Sequence, residues 1–284
     1  DALKADWGPA LTSGAKLASY SLTEPDAGSD AANLKTSARR DGDDYVLKGA
    51  KAFISGAGST DMLVVMARTG VAGAKGISAF AVPADLPGIR YGKKEDKMGW
   101  NSQPTRAIFF DDVRVPAANR LGEEGEGFRI AMKGLDGGRI NIATCSVGAA
   151  QGAFNAAQRY LGERQQFGKK LADFQALQFR LADMATELVA ARQMIRLAAS
   201  KLDAAAPDTS IYCAMAKRFA TDAGFNICNE ALQLHGGYGY LRDYPLERLL
   251  RDSRVHQILE GTNEIMRVII ARRMLEADAP DSIR

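Results

Sequence analysis

The sequence predicts an α+β protein in which an antiparallel β-barrel or sandwich is followed by a four-helix bundle. Up to about residue 120 the apolar segments are short and parted by turn residues, with no helix-length period between them. Beyond Gly122 the texture changes to Ala, Leu, Met and Arg, with apolar residues at helical spacing. A chain of 284 residues with 46% hydrophobic content can fill two cores. The expected domains are a β-rich segment over 1–120 and a helical segment over 121–284.

Each element has its own signal. "YVLKGAKAFIS" (Tyr45 to Ser55) follows the polar turn "RDGDD", and "MLVVMAR" (Met62 to Arg68) follows "GAGSTD". "GISAFAVP" and "RAIFFDDVRVP" complete the strand-like set. The first helix is expected from about Glu126 to Gly162. In the second, opened by Asp173 and finished before Pro207, Phe174, Leu177, Leu181, Met184 and Leu188 recur on one face. A third runs from about Thr209 to Leu234 and stops at the glycines of "HGGYGY". A fourth spans Asn263 to Glu276, with Thr262 or Asn263 as its N-cap.

Composition excludes several classes of function. The 37 basic and 34 acidic residues leave a net charge of +3 without a long basic run, so nothing demands nucleic acid or an acidic membrane. No run of about 18 apolar residues predicts a membrane span, and the first residues do not read as a signal peptide. Cys145, Cys213 and Cys228 are widely spaced in apolar helical contexts and read as reduced thiols, with no spacing that suits a metal. His235 and His256 are the only histidines and read as structural. "GAGSTD" and "GEEGEG" both fail the dinucleotide and P-loop patterns, and no GxSxG elbow is present.

Four stretches hold chemistry that packing alone does not require. "SLTEPDAGSD" (Ser21 to Asp30) can offer backbone N–H groups and hydroxyls to a flat polar ligand, though it also suits an ordinary turn. "ERQQFGKKL" (Glu163 to Leu171) sets Arg164, Lys169 and Lys170 around an aromatic, as a pyrophosphate or a solvated helix end would favour. "ALQLHGGYGY" (Ala231 to Tyr240) ends a helix in paired glycines, which serve a cap or the close approach of a ligand. In "HQILEGTNEIMR" (His256 to Arg267) an acid follows the apolar pair Ile258 and Leu259 and precedes Gly261. Glu264 suits the helix macrodipole. Glu260 lies before the cap, where apolar neighbours would raise its pKa toward that of a general base.

"YSLTEPDAGSD", "FIS" (Phe53 to Ser55), "ERQQFGK", "LHGGYGY" and "ILEGTNEIMR" occur in this order, and together they resemble the acyl-CoA dehydrogenase family from about Leu17 to Leu275. "GGRINIATCS", "WNSQPTRAIFFDD", "LADMATELVAARQMIRLAA" and "SRVHQILEGTNEIMR" resemble the members that act on short branched acyl groups. The resemblance implies flavin-dependent α,β-dehydrogenation of an acyl-CoA, with isobutyryl-CoA the expected substrate and FAD the cofactor. Another short-chain or 2-methyl-branched acyl-CoA dehydrogenase, or an acyl-CoA oxidase, is the alternative. Nitroalkane oxidation, which goes with aspartate at the base position, is disfavoured by Glu260. So is a DNA-binding relative with a vestigial flavin site, because no basic tail follows the last helix before Arg284.

By resemblance Glu260 is the catalytic base, and its backbone N–H, with a ribityl hydroxyl of the cofactor, donates to the thioester oxygen. Leu22 and Thr23 face the flavin pyrimidine edge, while Phe53 and Ser55 pack near N5. Arg164, Phe167, Gln233 and Gly237 form the adenine half of a neighbouring subunit's site. Thr262 and Glu264 touch the phosphate and ribose region. Ser29 and Arg139 hold the CoA portion, with Asp136 nearby, and Gly261 leaves room for the thioester. The family also implies a homotetramer, an electron-transfer flavoprotein as electron acceptor, and no metal, nucleic acid or membrane partner. It implies a bacterial cytoplasmic or a mitochondrial matrix location according to source. A helical domain precedes the β domain in the family, and this chain begins close to where the β domain starts, so a helical domain is expected to be missing from it.

Overall fold

A computed structural model describes residues 2–276, and the stretch up to Arg284, over which no basic tail is expected, lies outside them. Two compact units are present: residues 1–97 with 101–134, and residues 98–100 with 135–284.

The first unit opens with helix α1 (Ala2–Thr12), which the sequence reading did not anticipate: it contains Pro9 and buries none of its residues, so no apolar stripe announces it. Seven strands then form one path in the order β6 (Ile89–Tyr91), β7 (Thr105–Pro116), β3 (Asp44–Ser55), β2 (Ser37–Asp41), β4 (Met62–Arg68), β5 (Ile77–Pro83), β8 (Arg120–Leu121). Off this path β1 (Ala18–Ser21) pairs with β4. The fold is α+β, but the sheet is neither antiparallel throughout nor a closed barrel. β1 runs parallel to β4, and β2 meets β4 in parallel at Ser37 and Arg68. A parallel pair needs a crossover connection, which cannot be read from alternation within a single strand.

β5 is buried along nearly its whole length, as its unbroken apolar run requires. β3 is broken by register shifts between Leu47 and Gly49 and again between Lys51 and Ile54. At the second shift Phe53 adopts φ 57° and turns its ring outward, leaving it 70% exposed. Beneath it Lys51 and Glu24 form a fully buried ion pair at 2.8 Å. Lys51 Nζ also donates to the Leu22 carbonyl at 3.1 Å, and the Glu24 carboxylate accepts from the backbone N–H groups of Lys35 and Thr36. Burial pushes the Lys51 ammonium down to about 8 against the pull of Glu24. Burial alone would raise the Glu24 carboxyl, but the Lys51 charge and the hydrogen bonds hold it below 4.5.

The second unit contains most of α2 (Gly127–Glu163), then α3 (Gln175–Asp203), α4 (Thr209–Leu234), α5 (Leu246–Arg254) and α6 (Asn263–Met274). Four of these were expected; α5, nine residues long, was not. Asp173 does not cap α3, whose N-cap is Phe174; the Asp173 carboxylate instead accepts from the Lys170 N–H. Between α2 and α3 a hairpin of β9 (Gln165–Gln166) and β10 (Lys169–Lys170) turns through Phe167 and Gly168, both at positive φ, the backbone of a type I′ turn. α4 buries more than half of its residues. Its inward residues are Ile211, Cys213, Ala216, Ala220, Gly224, Ile227, Cys228, Ala231 and Leu234. The small ones let neighbours come close: a Cβ at Gly224 would lie 3.0 Å from the Ser146 backbone.

Replacing Glu24 with Ala leaves the Lys51 ammonium buried and unpaired. The expected cost is about 3–5 kcal/mol, measured as a lower urea midpoint with an unchanged slope.

Candidate active site

The stretch from His256 to Thr262 links α5 to α6. His256 is buried, its Nδ1 sits 2.6 Å from Ser146 Oγ, and its ring meets Trp100 edge-on at 4.8 Å. Thr262 is the N-cap of α6, its hydroxyl accepting from the Ile265 N–H at 3.3 Å. Between them Glu260 and Gly261 both have left-handed backbones, φ 57° and 86°. Gly261 takes this without strain. For Glu260 it costs of order 1–3 kcal/mol and persists only where the surroundings over-determine it.

Those surroundings come from α2 and α4. The half-buried Glu260 carboxylate rests over Gly138 of α2, where an added Cβ would lie 2.5 Å from Oε2. Burial pushes its pKa above 4.5, opposed by the positive charges of Arg139 and Lys217. Arg139 is buried, and its NH1 donates to Asp136 at 2.8 Å while its Nε has no partner among the described residues. Asp136 accepts in turn from Ser210 Oγ at 2.5 Å. Lys217 is fully buried; its Nζ donates to the Gly261 carbonyl at 2.8 Å and to Asn263 Oδ1 at 2.9 Å. Burial pushes this ammonium down to about 8. The arrangement is an acid kept poorly solvated, beside two cations, with its own N–H making no hydrogen bond among the described residues. Sequence reasoning missed Lys217 because a lysine in an alanine-rich helix reads as solvated; Thr221 and Asp222, one turn on, are the only hint that a polar strip faces inward.

Of the remaining sequence candidates, Glu260, Gly261, Thr262, Asp136 and Arg139 lie in this one region of the second unit. Glu264 is in the first turn of α6 but its side chain is 81% exposed, 3.9 Å from Arg267.

A second feature of this unit is a cleft of ≈ 430 Å³ whose lining includes Arg164, Gln233, Gly237, Tyr160 and Tyr238. The Arg164 guanidinium lies over the Tyr238 ring, and Tyr160 stacks on buried His235 at 4.3 Å. His235 Nδ1 donates to the Ala231 carbonyl; burial lowers its pKa and that bond partly restores it. A Cβ at Gly237 would meet nothing within 4 Å, so packing does not explain the glycine. Phe167 is not among the cleft residues; it is 92% exposed at the hairpin tip, its ring 6.2 Å from that of Phe174.

In the first unit Thr23 and Phe53 are brought together although distant in sequence. The Thr23 carbonyl accepts from the Ala52 N–H at 2.9 Å, and the Leu22 carbonyl accepts from Lys51. With those carbonyls occupied, the half-buried Thr23 hydroxyl, the exposed Ser55 hydroxyl and the Phe53 ring remain for a ligand. Ser29 is exposed in the loop after β1.

The chain joins a β unit that turns an aromatic outward at a bulge to a helical unit that holds a desolvated glutamate, and the proteins it is similar to name its class. The family model "Acyl-CoA dehydrogenase, middle domain" matches residues 19–113, and "Acyl-CoA dehydrogenase, C-terminal domain" matches residues 125–275. The chain belongs to the acyl-CoA dehydrogenase family. It is 59% identical to the mitochondrial isobutyryl-CoA dehydrogenase of Bos taurus over 94% of its length, and 56% identical to that of Dictyostelium discoideum over 95%. It spans 64% and 65% of those two proteins. The butyryl-CoA dehydrogenase structure from Megasphaera elsdenii superposes with a TM-score of 0.95 at 44% identity, covering 97% of this chain and 72% of that one.

His256 links this region to pH. Burial, the largest influence, lowers its pKa from 6.5 to about 4, with Asp252 opposing. The unfolded chain takes up this proton below pH 6.5 and the folded one does not until about pH 4. Its contribution to stability, roughly 3 kcal/mol, is therefore complete above the unfolded value and is lost as pH falls through that window. Nitrogen-15 shifts of the imidazole should remain those of the neutral ring at pH 5.

Proposed function

We propose that the chain carries the machinery for α,β-dehydrogenation of a short branched acyl-CoA, with isobutyryl-CoA as substrate and FAD as cofactor. The observation that carries this reading is the Glu260 carboxylate, poorly solvated, raised in pKa, and held over a glycine between Arg139 and Lys217. Removing a proton from the α-carbon of a thioester builds negative charge on the carbonyl oxygen. Glu260 accepts the proton, and its unbonded N–H is available to the oxygen. Gly138 and Gly261 leave space for a branched acyl group without pushing the carboxylate away.

The residues fit a flavin dinucleotide. Phe53, Ser55 and Thr23 present a flat aromatic with hydroxyls, and the Arg164–Gln233–Gly237 cleft suits an anionic or adenine-bearing group. When bound, FAD supplies the acceptor for the β-hydride. Thr262 and Glu264 are assigned to its phosphate and ribose region, Phe167 to the adenine half, and Ser29, Asp136 and Arg139 to the CoA portion. Family membership supports a homotetramer with electron-transfer flavoprotein as the onward electron acceptor. Location follows the source, cytoplasmic in a bacterium and matrix in a mitochondrion.

The test is anaerobic bleaching of the flavin-loaded protein. Isobutyryl-CoA should reduce it with a higher specificity constant than its straight-chain isomer butyryl-CoA, by about 10- to 200-fold, the range a pocket achieves when one methyl-sized group is lost or misplaced, and than the longer octanoyl-CoA. The rate should rise with pH through a pKa above 4.5, because only the ionised carboxylate accepts a proton. Glu260→Gln should bind flavin and lose about 10²- to 10⁴-fold in rate; wild-type bleaching by that variant would falsify the base assignment.

Gly138→Ala separates geometry from stability. The atom its Cβ meets is the far end of a flexible side chain, so Glu260 gives way rather than the helix. Melting temperature should hold or rise, since Ala favours a helix over Gly by about 1 kcal/mol. The bleaching rate should fall by about 10²-fold, as for a ~1 Å misplacement of a reacting group.

A further inference from the structure

Resting on the assignment of Glu260 as base, we propose that Lys217 is a positioning residue for that base, fixing the left-handed Glu260–Gly261 backbone from α4 and setting the charge beside the carboxylate.

The loop bearing Glu260 is fastened at both ends to one strip of α4. Ahead of Glu260, Gln257 Nε2 donates to Asp222 Oδ1 at 2.8 Å. After it, Asn263 Nδ2 donates to the same Asp222 oxygen at 2.7 Å and to Thr221 Oγ1 at 2.9 Å, which turns Asn263 Oδ1 toward Lys217. Lys217 completes the set at the residue that matters most: its ammonium holds the carbonyl of Gly261, next to Glu260. A carbonyl fixed there limits rotation about the two left-handed residues, and so the direction in which the carboxylate leaves the backbone. A structural lysine needs partners but has no reason to take them from the base loop; burying an ammonium here is costly unless it is paired. The charge contributes as well. Glu260 is faced by Arg139 from α2 and Lys217 from α4, both favouring the carboxylate form. Lys217 in turn is faced by Asp222 on its own helix, Arg139 on α2, Glu264 on α6, and Glu260 itself. Among the described residues it is the one cation that touches the loop's backbone and also acts on its acid, so a single side chain bears on both geometry and proton affinity.

The measurement is anaerobic flavin reduction by isobutyryl-CoA against pH, for wild type, Lys217→Met and Glu260→Gln in the flavin-loaded protein, with melting temperature and flavin content alongside. Lys217→Met is expected to retain flavin and substrate affinity and to slow reduction by roughly 10- to 100-fold. Its acid limb should move to higher pH, because losing the neighbouring positive charge disfavours the carboxylate. A lysine with only a structural role would lower the melting temperature and leave the limb in place; that result, or a wild-type rate, overturns the proposal. If the Met variant does not fold, Lys217→Gln keeps one donor, removes the charge, and is judged by the same shift. Wild-type reduction by Glu260→Gln removes the base assignment and the role of Lys217 with it. An inactive Glu260→Gln beside a Lys217→Met with wild-type rate and limb removes only the latter.

Discussion

The helical unit depends on α4 being surrounded. Its alanines, glycine and cysteines allow neighbouring backbones to approach closely, and dispersion contacts in such packing add up only when no void remains. The same closeness excludes water from Lys217 and Thr221, while Asn226 and Asn229 on the same helix stay exposed. Lys217 and Thr221 must then find partners in the protein, and with the less buried Asp222 they find them at Gly261 in the loop between α5 and α6 and at Asn263, the first residue of α6. One packing constraint therefore bears on both the stability of the unit and the anchoring of the segment that carries Glu260.

The β unit solves a related problem differently. The groups proposed to face the cofactor come from Leu22–Thr23 and from the bulge in β3, and no single strand carries both. The Glu24–Lys51 pair joins them from beneath, and the Ala52 N–H to Thr23 carbonyl bond aligns their edges. The outward ring of Phe53 follows from the bulge: a regular strand would alternate it with Ile54 into the core.

Much of this was legible in the sequence because periodicity and turn chemistry act locally. The limits of β3, β4, β5 and β7 and of α2, α3 and α4 follow from those signals within a few residues. The Thr262 cap could be read from twelve consecutive residues, but the burial of Glu260 comes from α2 and α4, since Ile258 in the same stretch is 50% exposed. What could not be read depends on pairing at a distance. The parallel partners of β4 are set by how β1 and β2 return to it, and α1 and α5 have too short or too weak an apolar face to announce themselves. Gly138 sits 122 positions from the acid it accommodates, and Lys217 44 positions from the carbonyl it holds. Neither has a local pattern that distinguishes it from an ordinary helical residue.

The buried Glu24–Lys51 pair has a thermal consequence. Hydration of charged groups becomes less favourable on heating, so the penalty for keeping this pair dry falls as temperature rises, while the gain from burying apolar surface levels off. The join between the Thr23 turn and the β3 bulge thus weakens less on warming than the aliphatic packing around it. In an enzyme from a warm habitat, this junction would be the part of the β unit that needs least reinforcement.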